Sequence, residues 1–328
     1  MNKKKIVALI YGGDSSEAQV SVMSGKNIAA NIDRQKYEVY EILLKGSEWN
    51  VQLEGGKTVP IDKSDFSFVL PAGDSRAQSR INFDIALIMI HGTPGENGML
   101  QAYLEMVGMP HTTCPSIISA ITFNKYATKC FIRDTGVSLA KELFLRRGDS
   151  WDASEVVAKL GLPLFVKPNE GGSSFGVTKV KRIEDLENAV ELAFKEDNSV
   201  LIEEFIEGRE MTNGVFEVNG KLSKLPVTEI ISKNEFFDYE AKYLGACREV
   251  CPAEIPDALS ERIVAQSHKI YRHLGCRGVV RMDYIIRGEE IFFLEINTVP
   301  GMTEMSLVPQ EIKASGMTIR NFLSNLLG

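Results

Sequence analysis

Two apolar segments near the C-terminus, VVRMDYII at residues 279–286 and IFFLEIN at residues 291–297, decide how this chain is expected to fold. Side chains alternate between the two faces of a β-strand. A connection at residues 288–290 would turn the segments into a hairpin in which Asp283 lies opposite Glu295. One face of that hairpin would be apolar and would carry Val280, Met282, Tyr284, Ile286, Phe292, Leu294 and Ile296. The other face would carry Arg281, Asp283, Glu295 and Asn297.

The polar face of this hairpin predicts a metal site. Two carboxylates directly opposite each other repel by up to about 1 kcal/mol, so a cation between them would explain the pair. Mg²⁺ prefers one or two carboxylates together with the phosphates of a substrate. Asn297 adds a neutral oxygen, and Arg281 supplies a planar fork suited to carboxylate or phosphate. The alternative is the solvated face of an edge hairpin, which explains any two of these residues more easily than all four.

Composition excludes several classes of protein. The 328 residues include 37 Lys and Arg against 44 Asp and Glu, which gives a net charge of −7. This acidic balance disfavours a nucleic-acid binder. If the substrate is an anion, a few cations placed locally must bind it. No segment approaches the ~20 consecutive apolar residues that span a bilayer, so no membrane partner is expected. Five scattered cysteines indicate reduced thiols in the cytoplasm. The length predicts two or three domains.

The order of the predicted elements separates the chain into parts. Strands and helices alternate at first, which predicts a parallel, doubly wound α/β unit: strands at 6–11, 37–44 and 83–90, and helices at 20–32 and 98–107. One continuous helix is predicted over residues 116–134. Later strands are predicted at 143–145, 162–167, 176–180 and 199–205, with a hairpin of 211–218 and 221–228 turned at 219–220 and helices at 183–194, 259–274 and 317–327. Residues 232–251 lack periodicity, which is typical of a functional loop or lid.

Several shorter segments carry weaker signals. Lys167 precedes a Gly/Ser loop at residues 171–174 whose backbone N–H groups could bind an anion, although such loops are as often simple turns. The segment at residues 201–210, where an apolar strand ends in acceptors, could bind a nucleoside, or it could be a solvated strand end. Glu17 could serve only the dipole of the helix that follows it. His91, at the end of a strand, could be a functional residue or a structural histidine.

Taken together and in this order, these segments resemble the D-alanine–D-alanine ligases of the ATP-grasp superfamily over essentially the whole chain. The anchors are Gly12-Gly13 with Ser15, Glu17, Val20 and Ser21; His91-Gly92; Lys167-Pro168 with Gly172, Ser173 and Ser174; residues 238–243; residues 276–278 with Arg281 and Asp283; and Glu295 and Asn297 with residues 298–303 and 306–309. Each motif is modest by itself, but six in sequence are very specific.

The resemblance implies a fold, an activity and a setting. The fold would be a parallel α/β N-terminal domain followed by a two-domain ATP-grasp fold, with domains at 1–115, 116–205 and 206–328. The reaction would join two D-alanines with ATP through an acyl phosphate, for peptidoglycan and cell-wall synthesis. ATP and two Mg²⁺ (or Mn²⁺) would be needed, D-alanine would be the partner, and the enzyme would be a cytoplasmic homodimer.

The resemblance also assigns roles in binding the substrates. Glu17 would hold the ammonium of the first D-alanine, with Val20 and His91 nearby. Ser173 and Tyr243 would form a hydrogen-bonded group with Glu17 that closes the lid at residues 232–251. The phosphates of ATP would be bound by Lys125, Lys167 and Lys242, and its adenosine by Glu203, Glu204, Ile206 and Glu210.

Further roles concern the reacting centre. The resemblance implies that the metals are held by Asp283, Glu295 and Asn297. Arg281 and the backbone N–H of Gly301 would stabilise the tetrahedral oxyanion. Ser306 and Leu307 would take the carboxylate of the second D-alanine.

The sequence departs from the family pattern at four places. Asn97 and Asn124 stand where Asp is common, Glu170-Gly171 replaces an Arg-Glu pair, and Glu304-Met305 replaces a small polar residue and His. Three alternatives stay open: a ligase of the same fold that uses D-lactate or another D-amino acid second, a non-catalytic nucleotide-binding relative, and, as an outsider, a dehydrogenase.

Overall fold

The computed structural model describes residues 3–71, 79–218, 220–232 and 247–328. Its first part is built on a sheet in the order β4-β3-β2-β1-β7, in which β1 is parallel to both β2 and β7. The elements are β1 (Lys5–Gly12), α1 (Ala18–Asn31), β2 (Tyr37–Lys45), β3 (Glu48–Gln52), β4 (Thr58–Pro60), β5 (Phe68–Leu70), β6 (Ser79–Ile81), β7 (Ile85–Ile88) and α2 (Met99–Met106). The predicted parallel α/β unit is therefore present, and β3 and β4 extend it in antiparallel fashion.

The second part contains a four-stranded antiparallel sheet in the order β11-β10-β12-β9. Helices α5 and α6 contribute Val156, Leu186 and Val190 to the apolar core against it. The elements are α3 (Ser116–Phe123), α4 (Lys125–Ile132), β8 (Ser138–Leu139), β9 (Glu142–Arg146), α5 (Ala153–Leu160), β10 (Leu164–Pro168), β11 (Thr178–Val180), α6 (Leu186–Glu196) and β12 (Ser199–Glu204).

The third part is a six-stranded sheet in the order β17-β16-β13-β18-β19-β8. Its elements are β13 (Arg209–Val215), β14 (Glu217–Val218), β15 (Lys221–Leu222), β16 (Thr228–Ser232), β17 (Cys247–Val250), α7 (Asp257–Leu274), β18 (Val280–Arg287), β19 (Glu290–Asn297), α8 (Leu307–Ala314) and α9 (Ile319–Leu327). Although β8 precedes the second sheet in sequence, it pairs with β19, and α3 and α4 contact β19 and α7. The predicted domain boundaries remain a prediction.

One apolar core joins the first part to the third. Val7 and Leu9 of β1 lie in the same buried cluster as Val308 of α8 and Phe322 of α9. Burying apolar area on both sides stabilises this arrangement by roughly 25 cal/mol per Å² removed from water. The loops after β1 and β7 are consequently held beside the segment that precedes α8. No helix among the described ranges is long and apolar enough to cross a membrane.

The predicted helix over residues 116–134 is wrong as a single element. It is divided at Asn124, whose backbone is extended (φ −90°, ψ 106°). The Asn124 side chain accepts a hydrogen bond of 2.9 Å from the backbone N–H of Ala127 and so caps α4. Apolar residues continue across the break, and a cap of this kind is therefore easily missed in a periodic pattern.

The predicted loop at residues 232–251 is wrong at its ends. Ser232 belongs to β16 and pairs with Cys247 of β17, so the last part of the segment is a strand. Residues 233–246 lie outside the described residues. In the neighbouring hairpin, β14 pairs with β15 as expected, but strand structure is interrupted between Leu222 and Thr228.

The β18–β19 hairpin brings Asp283 opposite Glu295, as predicted, but by a different route. The turn contains two residues, Gly288 and Glu289, because Arg287 pairs with Glu290. The register then shifts between Asp283 and Tyr284, so that Leu294 is an extra residue in β19. A β-bulge of this kind changes which side chains share a face.

The two-residue turn and the bulge together correct the predicted apolar face. Phe293, rather than Phe292 or Leu294, lies with Val280, Met282, Tyr284 and Ile286 in the buried core. Phe292 and Leu294 instead line a cavity on the other side of the sheet. The two-residue turn sets the faces of Phe292 and Phe293, and the extra residue then returns Glu295 to the face of Asp283.

Two departures from the family pattern are bonded to each other, which gives a first test. Asn124 donates a hydrogen bond of 2.8 Å to the carboxylate of Glu170. We expect Asn124→Asp to lower the free energy of unfolding by about 0.5–1 kcal/mol, because it places two carboxylates together. Adding Glu170→Arg should restore the loss, and chemical-denaturation midpoints of the two single variants and the double variant measure the coupling. Additive effects would show that the contact carries no energy.

Candidate active site

Two cavities open onto the polar face of the β18–β19 hairpin. The first has a volume of about 470 Å³, and its wall includes the predicted residues Glu17, Val20, His91, Arg281, Asn297, Gly301, Ser306 and Leu307. The second has a volume of about 430 Å³, and its wall includes the predicted residues Lys167, Glu203, Glu204, Ile206, Glu210 and Asp283. Every predicted site residue that the structure describes lines one of the two cavities. Lys242 and Tyr243 lie outside the described residues.

The two cavities share one stretch of wall. Both are lined by Lys125, Ser173 and Glu295, together with the backbone of Gly171 and Gly172. Lys125 reaches across the Gly/Ser loop and donates a hydrogen bond of 2.8 Å to the carbonyl of Gly171. A group bound in one cavity can therefore meet a group bound in the other beside a cation and a carboxylate.

The polar face of the hairpin is organised around Asp283. Arg281 donates two hydrogen bonds to its carboxylate, at 2.9 and 2.8 Å, and Thr212 donates a third at 2.7 Å. Burial acts to lower the pKa of Arg281, but the Asp283 carboxylate raises it overall. The Asn297 amide lies 3.4 Å from the same carboxylate. The guanidinium is thus a fixed, permanently charged group in the wall of the first cavity.

Buried lysines line the second cavity. Lys167 forms an ion pair with Glu203, and Lys129 forms ion pairs with Glu203 and, at 3.2 Å, with Glu142. Burial and the charges of Lys129 and Lys125 lower the pKa of Lys167 well below its usual range. Burial likewise lowers the pKa of Lys129. An anion bound here would favour the charged form of these lysines, because an opposite charge nearby stabilises an ammonium group.

The sequence analysis missed Lys129, and a signal for it existed. It follows Lys125 by four residues on α4, which places both side chains on one face of the helix. The apolar lining by Phe165, Phe292 and Leu294 was missed as well. The faces of these two β19 residues depend on the two-residue turn and the bulge, neither of which the sequence pattern indicates.

Glu17 and the Gly/Ser loop meet in the first cavity. The Ser173 hydroxyl donates a hydrogen bond to the Glu17 carboxylate, although the two residues lie 156 positions apart. Ser173 and Ser174 adopt positive φ angles of 51° and 60°, which are uncommon for residues other than glycine. A Cβ at Gly172 would stand 2.8 Å from the Glu17 carboxylate, so this close approach favours glycine.

His91 connects the loop after β7 to the segment before α8. Its Nδ1–H donates to the carbonyl of Val299 at 2.7 Å, so Nε2 accepts from the Ser24 hydroxyl at 3.0 Å. The backbone N–H of Met302 in turn donates to the Ser24 oxygen. Burial lowers the pKa of His91 and favours the neutral ring. Both ring nitrogens are used by the protein, so His91 positions the cavity wall.

The start of α8 forms the far end of the first cavity. The Ser306 hydroxyl accepts from the backbone N–H of Thr303 at 3.0 Å and does not cap the helix, so first-turn N–H groups remain for an anion. The buried Glu311 carboxylate holds α8 to the sheet by accepting from the Gly214 N–H and the Thr228 hydroxyl. Burial raises the pKa of Glu311 well above its usual range.

The remaining departures fall on the loops of the same cavity. Asn97 donates to the Thr93 hydroxyl at 3.1 Å and accepts from the backbone N–H of Met99, and so supports the start of α2. Glu304 and Met305 are exposed and line the first cavity beside Ser306.

Glu96 is a second residue that the sequence analysis missed. Its carboxylate accepts from the Gly92 N–H at 2.7 Å and, at 3.4 Å, from the Val299 N–H. Burial, followed by the charge of Glu17, raises its pKa to about 8. Nothing in the local sequence distinguishes Glu96 from a surface carboxylate, because its burial depends on Val299, 203 residues away.

The raised pKa of Glu96 predicts a pH dependence of stability. The folded protein holds a proton on Glu96 that the unfolded chain loses near pH 4.5, so stability should fall as pH rises from about 4.5 to about 8. At about 1.4 kcal/mol per pH unit, the loss over this range should approach about 5 kcal/mol. Thermal midpoints of the wild type and Glu96→Gln across this range test it, because the amide cannot titrate. An equal slope in both proteins would remove Glu96 as its source, and Glu304→Gln is the exposed control.

Comparisons with known proteins cover the whole length of the chain. Residues 6–114 match the family model for the N-terminus of D-ala D-ala ligase, and residues 131–328 match the model for its C-terminus. A curated D-alanine–D-alanine ligase from Parabacteroides distasonis is 46% identical over 325 residues, which cover 99% of this chain and 97% of that protein.

Solved structures agree with these matches. VanG D-Ala:D-Ser ligase from Enterococcus faecalis has a TM-score of 0.88 and 31% identity, over 99% of both chains. The D-alanine–D-alanine ligase from Bacillus anthracis complexed with ATP has a TM-score of 0.78 and 30% identity, over 98% of this chain and 96% of that one. The fold is accordingly that of the ATP-grasp ligases. With both family models matched and this identity along its full length, the chain belongs to the D-alanine–D-alanine ligase family.

Proposed function

We propose that this protein joins two D-alanines to D-alanyl-D-alanine with ATP, forming ADP and phosphate, as a step in peptidoglycan precursor synthesis. The observation that carries the proposal is the shared wall of the two cavities at Lys125, Ser173 and Glu295. A γ-phosphate entering from the second cavity would meet an amino-acid carboxylate held in the first. Family membership and the ATP complex of the related ligase support the same assignment.

The first cavity is proposed as the seat of both amino acids. Glu17 would bind the ammonium of the first D-alanine, with Val20 and His91 beside it and Ser173 fixing the Glu17 carboxylate. Ser306 and Leu307, at the N-terminus of α8, would take the carboxylate of the second D-alanine. Two zwitterions would thereby lie with the amine of one near the carboxylate of the other.

The second cavity is proposed as the nucleotide site. Lys125 and Lys167 would bind the phosphates, and the end of β12 at Glu203, Glu204 and Ile206 would bind the adenosine, together with Glu210. Phe165, Phe292 and Leu294 offer apolar surface for a base. The phosphate role of Lys242 remains a proposal from the family pattern.

The oxygen donors at the junction fit Mg²⁺. Asp283 and Glu295 face each other across the ladder, and Asn297 lies two residues further along the same face. Among the described residues, no group of three or more His, Cys, Asp or Glu side chains is arranged to hold a metal. A set of two carboxylates and an amide suits a hard cation that takes its other ligands from phosphates and water. When bound, two such ions would neutralise phosphate charge.

Catalysis would rest on positioning and on neutralising charge. The first D-alanine carboxylate would attack the γ-phosphate with departure of ADP, and the second D-alanine, deprotonated to the free amine, would displace phosphate through a tetrahedral species. Arg281, fixed by Asp283, would face the developing oxyanion together with the Gly301 N–H. A Cβ at Gly301 would lie 2.8 Å from the Ser306 hydroxyl, so a larger residue here would displace that hydroxyl. Tyr243 would join the Glu17–Ser173 group.

The function is tested by ADP release that depends on both D-alanine and Mg²⁺, with the product identified by mass spectrometry. D-alanyl-D-alanine is the expected product. A depsipeptide or another mixed dipeptide would instead identify a ligase with a different second substrate. ATP binding with no D-amino-acid-dependent turnover would contradict the proposal and indicate a non-catalytic relative.

The metal assignment predicts the behaviour of a conservative variant. Glu295→Gln should lower turnover by at least about 100-fold, as loss of a group that stabilises transition-state charge typically does, and should leave the denaturation midpoint nearly unchanged. Residual activity should need a higher concentration of Mg²⁺. Glu289→Gln, in the exposed turn of the same hairpin, is the matched control. Normal activity with normal Mg²⁺ dependence in Glu295→Gln would show the assignment to be wrong.

A further inference from the structure

Glu249 belongs to the same sheet face as the reacting centre. It lies on β17 opposite Ile230 of β16, and Ile230 lies two residues from Thr228, which pairs with Thr212 of β13. Thr212 in turn pairs with Asp283 of β18. Because residues two apart share a face, the ladder carries Glu249 onto the side of the sheet that presents Arg281 and Asp283.

The contacts of Glu249 place it at the α8 end of the first cavity. Gln310 donates a hydrogen bond of 2.5 Å to Oε2 of Glu249 and a second, of 2.8 Å, to the backbone carbonyl of Met305. Gln310 therefore ties the carboxylate to the residue before Ser306. Burial raises the pKa of Glu249 and the charge of Arg281 lowers it, so the guanidinium and the carboxylate act on each other. The side chain is half-buried and lines the cavity.

The proposed reaction makes a demand that the assigned residues leave unmet. Each D-alanine carries one carboxylate and one ammonium, so two seats need two acceptors for ammonium. Glu17 serves the first seat, from the loop after β1. At the second seat, Ser306 and Leu307 would bind only the carboxylate of the second D-alanine.

We propose that Glu249 binds the ammonium of the second amino acid and thereby selects an amino acid over a hydroxy acid at that seat. This inference rests on the proposed function. The distance along a D-alanine from carboxylate to ammonium is short, and the Gln310 bridge places the Glu249 carboxylate near the start of α8, where the substrate carboxylate would lie.

The other carboxylates of the first cavity are less suited to this role. Glu96 is engaged by two backbone N–H groups at the His91 loop. Glu295 lies at the wall shared with the second cavity. Glu304 is exposed, with 80% of its side chain accessible, so water would screen its charge.

The test separates the two halves of the reaction. Hydroxylamine, a neutral amine without a carboxylate, can replace the second amino acid and trap the acyl phosphate as the D-alanine hydroxamate. Glu249→Gln keeps an oxygen that can accept from Gln310 but loses the charge. We expect hydroxamate formation within twofold of the wild type and a KM for the second D-alanine raised by about tenfold or more, as loss of a charge-assisted hydrogen bond implies.

Glu304→Gln is the matched control, because it removes the same charge from the same cavity. It should leave the rate of hydroxamate formation and the KM for the second D-alanine within twofold of the wild type. Gln310→Leu is a second variant that releases Glu249 without touching its charge, and it should raise the KM for the second D-alanine while sparing the hydroxamate. If Glu249→Gln does not fold, Gln310→Leu tests the role of Glu249 in its place.

Three results would overturn the inference: an unchanged KM for the second D-alanine, an equal loss of hydroxamate and dipeptide, or the same effect in Glu304→Gln. A failure of the proposed function itself is distinguishable. In that case the wild type would form neither hydroxamate nor dipeptide.

Discussion

The extra residue in β19 is the constraint on which both cavities depend. Leu294 has no partner in the β18–β19 ladder, and its insertion keeps Asp283 opposite Glu295 after a turn of only two residues. Without it, Asp283 would face Leu294, and Glu295 would point to the core side of the sheet. The two-residue turn already sets Phe293 in the core and Phe292 on the nucleotide side, and the insertion returns Glu295 to that side, opposite Asp283. The turn and the added residue together thus set the apolar slot and the polar junction.

The electrostatics of the site follow from burial of paired charges. The chain carries a net charge of −7, yet three cations at the site are enclosed and matched by carboxylates: Lys167 and Lys129 by Glu203, and Arg281 by Asp283. Pairing makes burial of these cations tolerable, because an isolated charge in the interior would cost several kcal/mol. The positive field is therefore confined to the place where phosphate and carboxylate would meet, and bulk salt screens it little.

Much of the fold and of the candidate site could be predicted from the sequence. The alternation of apolar and polar residues located the hairpin and its polar face, and the order of elements located the parallel unit. Three features could not be obtained in this way, for physical reasons. The bulge at Leu294 leaves no mark on composition, and the cap at Asn124 interrupts a helix without interrupting its apolar pattern.

The third feature is the set of titratable groups created by long-range packing. Glu96 accepts a hydrogen bond from the Val299 N–H, 203 residues away, and Glu249 accepts one from Gln310 on a helix that follows much later in the chain. Such environments exist only after the sheet and α8 have come together. Local sequence reports residue type and spacing, whereas burial at these positions is a property of the assembled fold.

The common wall of the two cavities also bears on the design of inhibitors. The cavities have similar volumes, about 470 and 430 Å³, and meet at a single loop and one strand end. A compound with one arm in each would bind its second arm as an intramolecular event, at an effective concentration set by the length of the linker. Because the Gly171–Gly172 backbone lines both cavities, such a linker would run over this loop, and affinity would rise without any new contact in either cavity.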